Sequence, residues 1–128
     1  MEKIKVLIID DESFFADLVK MNLELTGRYE VHAARNGSKG LGLARFLKPH
    51  VILLDMIMPE MNGLEVLEEL KKDPSTISIP VIMLTAQRDD KSKEDANFLY
   101  AENYITKPVG ADELAKKIEE VLKRRGGA

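Results

Sequence analysis

The sequence predicts an α/β fold, doubly wound, in which five parallel strands alternate with five helices packed on both faces of the sheet. Three observations predict it. Apolar runs at 4–9, broken only by Lys5, and at 51–54 read as strands buried on both faces, as in a parallel sheet. The segments between strands carry apolar residues at helical spacing. Four strands end in polar residues, namely Asp10-Asp11, Asp55, Thr85 and Lys107, and the carboxyl ends of parallel strands form the ligand crevice of such sheets.

Each element follows from local chemistry. The first strand, 4–9, leads into a helix with Phe14, Leu18, Met21 and Leu25 along one face. Gly27 lies just past its end, where a left-handed residue is expected. Residues 29–34 read as a short strand with Val31 and Ala33 inward, ending at the Asn36-Gly37 turn. Leu41, Ala44 and Leu47 mark the second helix, which stops before Lys48-Pro49. The central strand, 51–54, delivers Asp55. The loop Met56-Ile57-Met58-Pro59-Glu60-Met61-Asn62-Gly63 follows, with Asn62 a cap for a helix bearing Leu64, Leu67 and Leu70. Asp73-Pro74 closes that helix.

Residues 80–84 form the fourth strand, ending at Thr85-Ala86-Gln87. A fourth helix over 89–100 is weak, since few of its residues are apolar. The fifth strand is 103–106, followed by Lys107-Pro108. The last helix turns Ala111, Leu114, Ile118, Val121 and Leu122 inward, with Glu119 and Lys123 spaced for an i, i+4 pair.

At 128 residues the chain fits one domain, 1–125, with a short tail at 126–128. A net charge of −3 gives no reason to expect nucleic acid or an anionic membrane as partner. The absence of cysteine excludes disulfides and thiolate metal sites. No stretch has the length of a membrane span or the build of a secretion signal, so a cytoplasmic protein is expected. The basic run Lys123-Arg124-Arg125 reads either as a solvated helix end or as the start of a linker.

Parallel strands bring the four polar ends together. Crowded carboxylates repel, and one takes up a proton unless a cation intervenes. Oxygen ligands without histidine or cysteine favour a hard ion such as Mg²⁺ or Mn²⁺. The Thr85 hydroxyl and the Lys107 charge suit a tetrahedral anion beside Asp55, and a carboxylate can itself be the nucleophile that forms an acyl phosphate. Taken singly, each residue also has a plain reading. Asp11-Glu12-Ser13 starts a helix, Thr85 ends a strand, Lys107 is a loop charge, and Tyr104 is a half-exposed strand residue.

Over nearly its whole length the sequence resembles the receiver domains of two-component response regulators. The matching pieces are Asp10-Asp11, the segment Asp55 to Gly63, Thr85-Ala86 and Tyr104-Ile105-Thr106-Lys107-Pro108. The resemblance implies a flavodoxin-like (βα)5 fold with strand order 2-1-3-4-5. It implies that Asp55 accepts phosphate from a histidine kinase or phosphotransfer protein. Asp10, Asp11, Asp55 and the backbone carbonyl of Ile57 would hold Mg²⁺ (or Mn²⁺), while Thr85 and Lys107 bind phosphoryl oxygens. Thr85 and Tyr104 are then the switch pair, and the peptide bond at Lys107-Pro108 is expected to be cis. The fourth helix, fifth strand and fifth helix form the surface that reports to a downstream protein or output domain, in a monomer or a phosphorylation-dependent dimer.

Two departures from the family pattern stand out. Tyr100 occupies a place that commonly holds glycine. Ile57 and Gln87 lie where the family tunes dephosphorylation, Ile57 hindering the attacking water or Gln87 orienting it. Other functions fit less well. A phosphohydrolase of the haloacid-dehalogenase type needs an acid where Ile57 stands. A flavin site needs a Gly/Ser/Thr-rich loop where Asp10-Asp11-Glu12 stands. An inactive scaffold would not need the full set of reactive residues. The expectation is a signalling switch rather than a turnover enzyme.

Overall fold

In the computed structural model, which describes residues 2–86, 103–107 and 109–125, β1 (Ile4–Ile9), β2 (Tyr29–Ala34), β3 (Val51–Asp55), β4 (Val81–Ala86) and β5 (Asn103–Lys107) form one sheet. All pairings are parallel and the order is β2-β1-β3-β4-β5. Four helices are described: α1 (Ser13–Leu25), α2 (Gly37–Leu47), α3 (Gly63–Lys72) and α4 (Ala111–Arg124), the last being the fifth helix expected from the sequence. The expected helix at 89–100, together with Gln87, Tyr100 and the Lys107-Pro108 bond, falls outside the described residues.

The sheet separates two cores because successive residues of a strand face opposite ways. On one side Leu7, Ile9, Ile52, Leu54, Val81 and Met83 pack with Leu41 and Ala44 of α2 and with Val66, Leu67 and Leu70 of α3. On the other, Val6, Ile8, Leu53, Ile82 and Leu84 pack with Ala16, Val19 and Leu23 of α1 and with Leu114, Ile118 and Val121 of α4. Every residue of β3 is buried, as expected for a central parallel strand.

Caps set the helix boundaries. Asn62 accepts from Glu65 N at 2.9 Å and its own N–H donates to the Glu65 carboxylate at 2.9 Å, a complete capping box. Gly27 takes φ +78° beyond α1, and α2 ends on Lys48 in the left-handed region. Asn62→Ala should lower the unfolding free energy by about 1 kcal/mol, read by urea denaturation. An unchanged midpoint would show that α3 needs no cap.

Three sequence expectations are corrected. The inward face of α1 is not Phe14, Leu18, Met21 and Leu25: Phe14 is 82% exposed and Leu25 78%, while Ala16, Val19 and Leu23 are buried. In β2, Ala33 is exposed and Ala34 buried: Val31 lies in the α1/α4 core but Ala33 does not, and Ala34, facing the other way, joins the α2/α3 core. Glu119 pairs with Arg28 at 2.8 Å rather than with Lys123, so it ties α4 to the start of β2.

Candidate functional site

Register alone assembles the site. β1 and β3 align Ile9 with Leu54, so the next residues, Asp10 and Asp55, leave the sheet side by side. β3 and β4 align Asp55 with Leu84, and β4 and β5 align Ala86 with Lys107. Asp10, Asp11, Asp55, Thr85 and Lys107 therefore share the carboxyl edge.

Asp10 is fully buried and Asp55 is 5% exposed, whereas Asp11 faces solvent. One carboxylate oxygen from each of the three lies within 4.8 Å of the others. The Lys107 ammonium lies 2.8 Å from Asp10 Oδ2, 3.5 Å from Asp55 Oδ1 and 2.5 Å from Glu12 Oε1. The Phe15 ring flanks it, with Nζ 4.7 Å from the centroid. Asp10 Oδ1 accepts from Glu12 N at 2.9 Å, while its buried Oδ2 faces the Lys107 ammonium at 2.8 Å. A buried carboxylate with two further carboxylates close by, all oxygen donors, has the donor chemistry of a hard divalent cation site.

Electrostatics at Asp55 are unfavourable in the bare protein. Burial, and then the neighbouring Asp10 charge, push its carboxyl up to about 7, against the opposing pull of Lys107 and of the Ile57 N–H that bonds to it. Burial works against the Lys107 ammonium, yet its contacts with Asp10 and Glu12 more than offset this and hold it above the usual lysine range.

The Thr85 hydroxyl is buried and donates to the Ile105 carbonyl of β5 at 3.5 Å, the long limit of a hydrogen bond. Tyr104, one residue earlier on β5, is half-buried against the α2/α3 core. Ile57 presents its backbone to Asp55 while its side chain is exposed. Glu12 was missed as a site residue. Its 95-residue separation from Lys107 hides the pairing, and an acid at a helix start already has a local explanation.

The glycine of the loop has a separate role. Gly63 N donates to the Met56 carbonyl at 2.9 Å, and a Cβ at Gly63 would come within 2.2 Å of the Asp55 carbonyl oxygen and 2.8 Å of Met56 Cα. The start of α3 is thus pressed against the backbone that carries Asp55.

Comparisons with known proteins agree. The sequence profile described as "Response regulator receiver domain" matches residues 6–119. Among curated proteins, Protein PilH of Pseudomonas aeruginosa is 38% identical over 92% of this chain and 97% of its own length. The DNA-binding dual master transcriptional regulator RpaA of Synechocystis is 39% identical over 94% of this chain but 49% of its own length. The chain spans about half the length of the first such relatives. Among solved structures, a CheY-like response regulator receiver domain protein from Methanospirillum hungatei superposes with a TM-score of 0.90 at 30% identity, covering 98% of each chain. The chemotaxis protein CheY4 of Vibrio cholerae gives 0.89 at 29% identity, over 94% of this chain and all of that one. Receiver domains are signalling switches with an acidic Mg²⁺ pocket, and no described helix is long and apolar enough to cross a membrane. With the profile covering most of its length and the fold matching from end to end, the chain belongs to the response regulator receiver domains of two-component systems.

Proposed function

We propose that Asp55 is the phosphoacceptor of this receiver, taking a phosphoryl group from the phosphohistidine of a histidine kinase or phosphotransfer protein. One observation carries the reading: a nearly buried carboxylate has two further carboxylates within 4.8 Å and an ammonium at 3.5 Å. An Asp55 carboxylate oxygen attacks phosphorus, forming a P–O bond as the P–N bond to the donor imidazole breaks, and the imidazole leaves with the electron pair and takes up a proton from water.

Asp10, Asp11 and Asp55, with the Ile57 carbonyl, are the residues that would hold Mg²⁺ or Mn²⁺. The bound ion supplies positive charge to the phosphoryl oxygens. Lys107 supplies a further charge from the edge strand β5, and Thr85 a hydroxyl donor. Because Thr85 already reaches toward β5, its engagement with a phosphoryl oxygen loosens a contact to Ile105 next to Tyr104, and these two residues form the switch. The reporting surface is β5, α4 and the segment preceding β5. Its reader is a downstream protein or an output domain following a receiver of residues 1–125, acting in the cytoplasm as a monomer or a phosphorylation-dependent dimer.

Incubation with acetyl phosphate and Mg²⁺ should add one phosphoryl group by intact-protein mass. No gain is expected without the metal or in Asp55→Asn. Unchanged labelling of Asp55→Asn would overturn the assignment.

A further inference from the structure

Lys107 faces three carboxylates, and they are not equivalent. Asp10 is fully buried and fixed by its bond from Glu12 N, and Asp55 is the proposed acceptor. Glu12 alone reaches the ammonium from an exposed position: its side chain is 62% exposed, against 12% for Lys107, yet it makes the shortest contact at 2.5 Å. Glu12 also occupies the N-cap of α1 and makes no side-chain capping bond. Serine, threonine, aspartate and asparagine are the residues that cap well. The side chain at this position serves Lys107 instead of the helix.

We propose that Glu12 is a positioning residue that holds Lys107 in the unphosphorylated protein and competes with the incoming phosphoryl group for it. This rests on Asp55 being the acceptor. An ammonium has three N–H donors. An arriving dianion at Asp55 must recruit one of them, and the partner that can leave at least cost is the one already in water. Asp10, fully buried and held by its bond from Glu12 N, has no room to withdraw, whereas Glu12 can return to solvent. Glu12 therefore sets how strongly the site discriminates against anions too weak to displace it. Its removal frees Lys107 and tightens anion binding.

Titration calorimetry with beryllofluoride, a tetrahedral phosphoryl mimic, at saturating Mg²⁺ tests this on three proteins. Glu12→Gln removes the charge and weakens the contact. Glu12→Asp keeps the charge but shortens the reach by one methylene. Both should bind beryllofluoride about 3–10-fold more tightly than wild type, the worth of one partly exposed ion pair. If Glu12→Gln tightens and Glu12→Asp does not, the effect is the general field of a negative charge and the inference fails. Equal affinity in all three proteins likewise overturns it, with the acceptor reading left standing. If wild type does not bind beryllofluoride at all, the acceptor reading itself fails and takes this inference with it.

Discussion

Asp55→Asn is expected to raise the melting temperature of the metal-free protein at pH 8 by about 5–10 °C, on the order of 2 kcal/mol. In the unfolded chain an aspartate titrates near its ordinary value of about 3.9. In the folded protein, burial and Asp10 push Asp55 up to about 7. Between those values the folded state holds a proton that the unfolded state has released, so stability falls as pH rises from about 4 toward 7 and stays low above it. Asparagine keeps the shape and removes the charge. The advantage of the variant should therefore be large at pH 8 in EDTA and shrink at pH 5, where the wild-type carboxyl is largely protonated. Circular dichroism melts at the two pH values read this directly. Lower stability of Asp55→Asn at pH 8 would mean that the Lys107 contact outweighs burial and Asp10, reversing the electrostatic account.

Gly63→Ala should cost about 3–4 kcal/mol, read by urea denaturation, although it adds a single methyl group. The new Cβ would meet the Asp55 carbonyl oxygen and Met56 Cα, both main-chain atoms at the end of a fully buried strand. A flexible side chain could step aside, but this backbone can move only by shifting Asp55. The variant should therefore also slow acetyl-phosphate labelling. Gly42→Ala, in the exposed middle of α2 with nothing within 4 Å of its Cβ, is the contrast. It should gain about 0.5–1 kcal/mol. A neutral Gly63→Ala would show that the loop is free to relax.

The strands and their four polar ends could be read from the chain because buried parallel strands leave apolar runs that end abruptly in polar residues. Asp10, Asp55 and Lys107 are legible for that reason, and register then brings them together. The inward face of α1 was not legible. That helix carries apolar residues almost all round, so periodicity offers two stripes and cannot choose between them. The structure selects Ala16, Val19 and Leu23, and leaves the bulkier Phe14 and Leu25 in water. Glu12 and Glu119 were hidden for another reason. Their partners, Lys107 and Arg28, lie far away in sequence, and only the folded sheet brings them within reach.

The ammonium at the carboxyl edge belongs to β5, which among the described residues is an edge strand paired with β4. Two of the carboxylates it neutralises stand at the carboxyl ends of β1 and β3, formed from the first half of the chain. Without β5 in place, the Asp10 and Asp55 carboxylates would repel each other with no ammonium beside them. Pairing of β5 is therefore rewarded by relief of that repulsion, so the charged cluster also helps to hold the edge strand on the sheet.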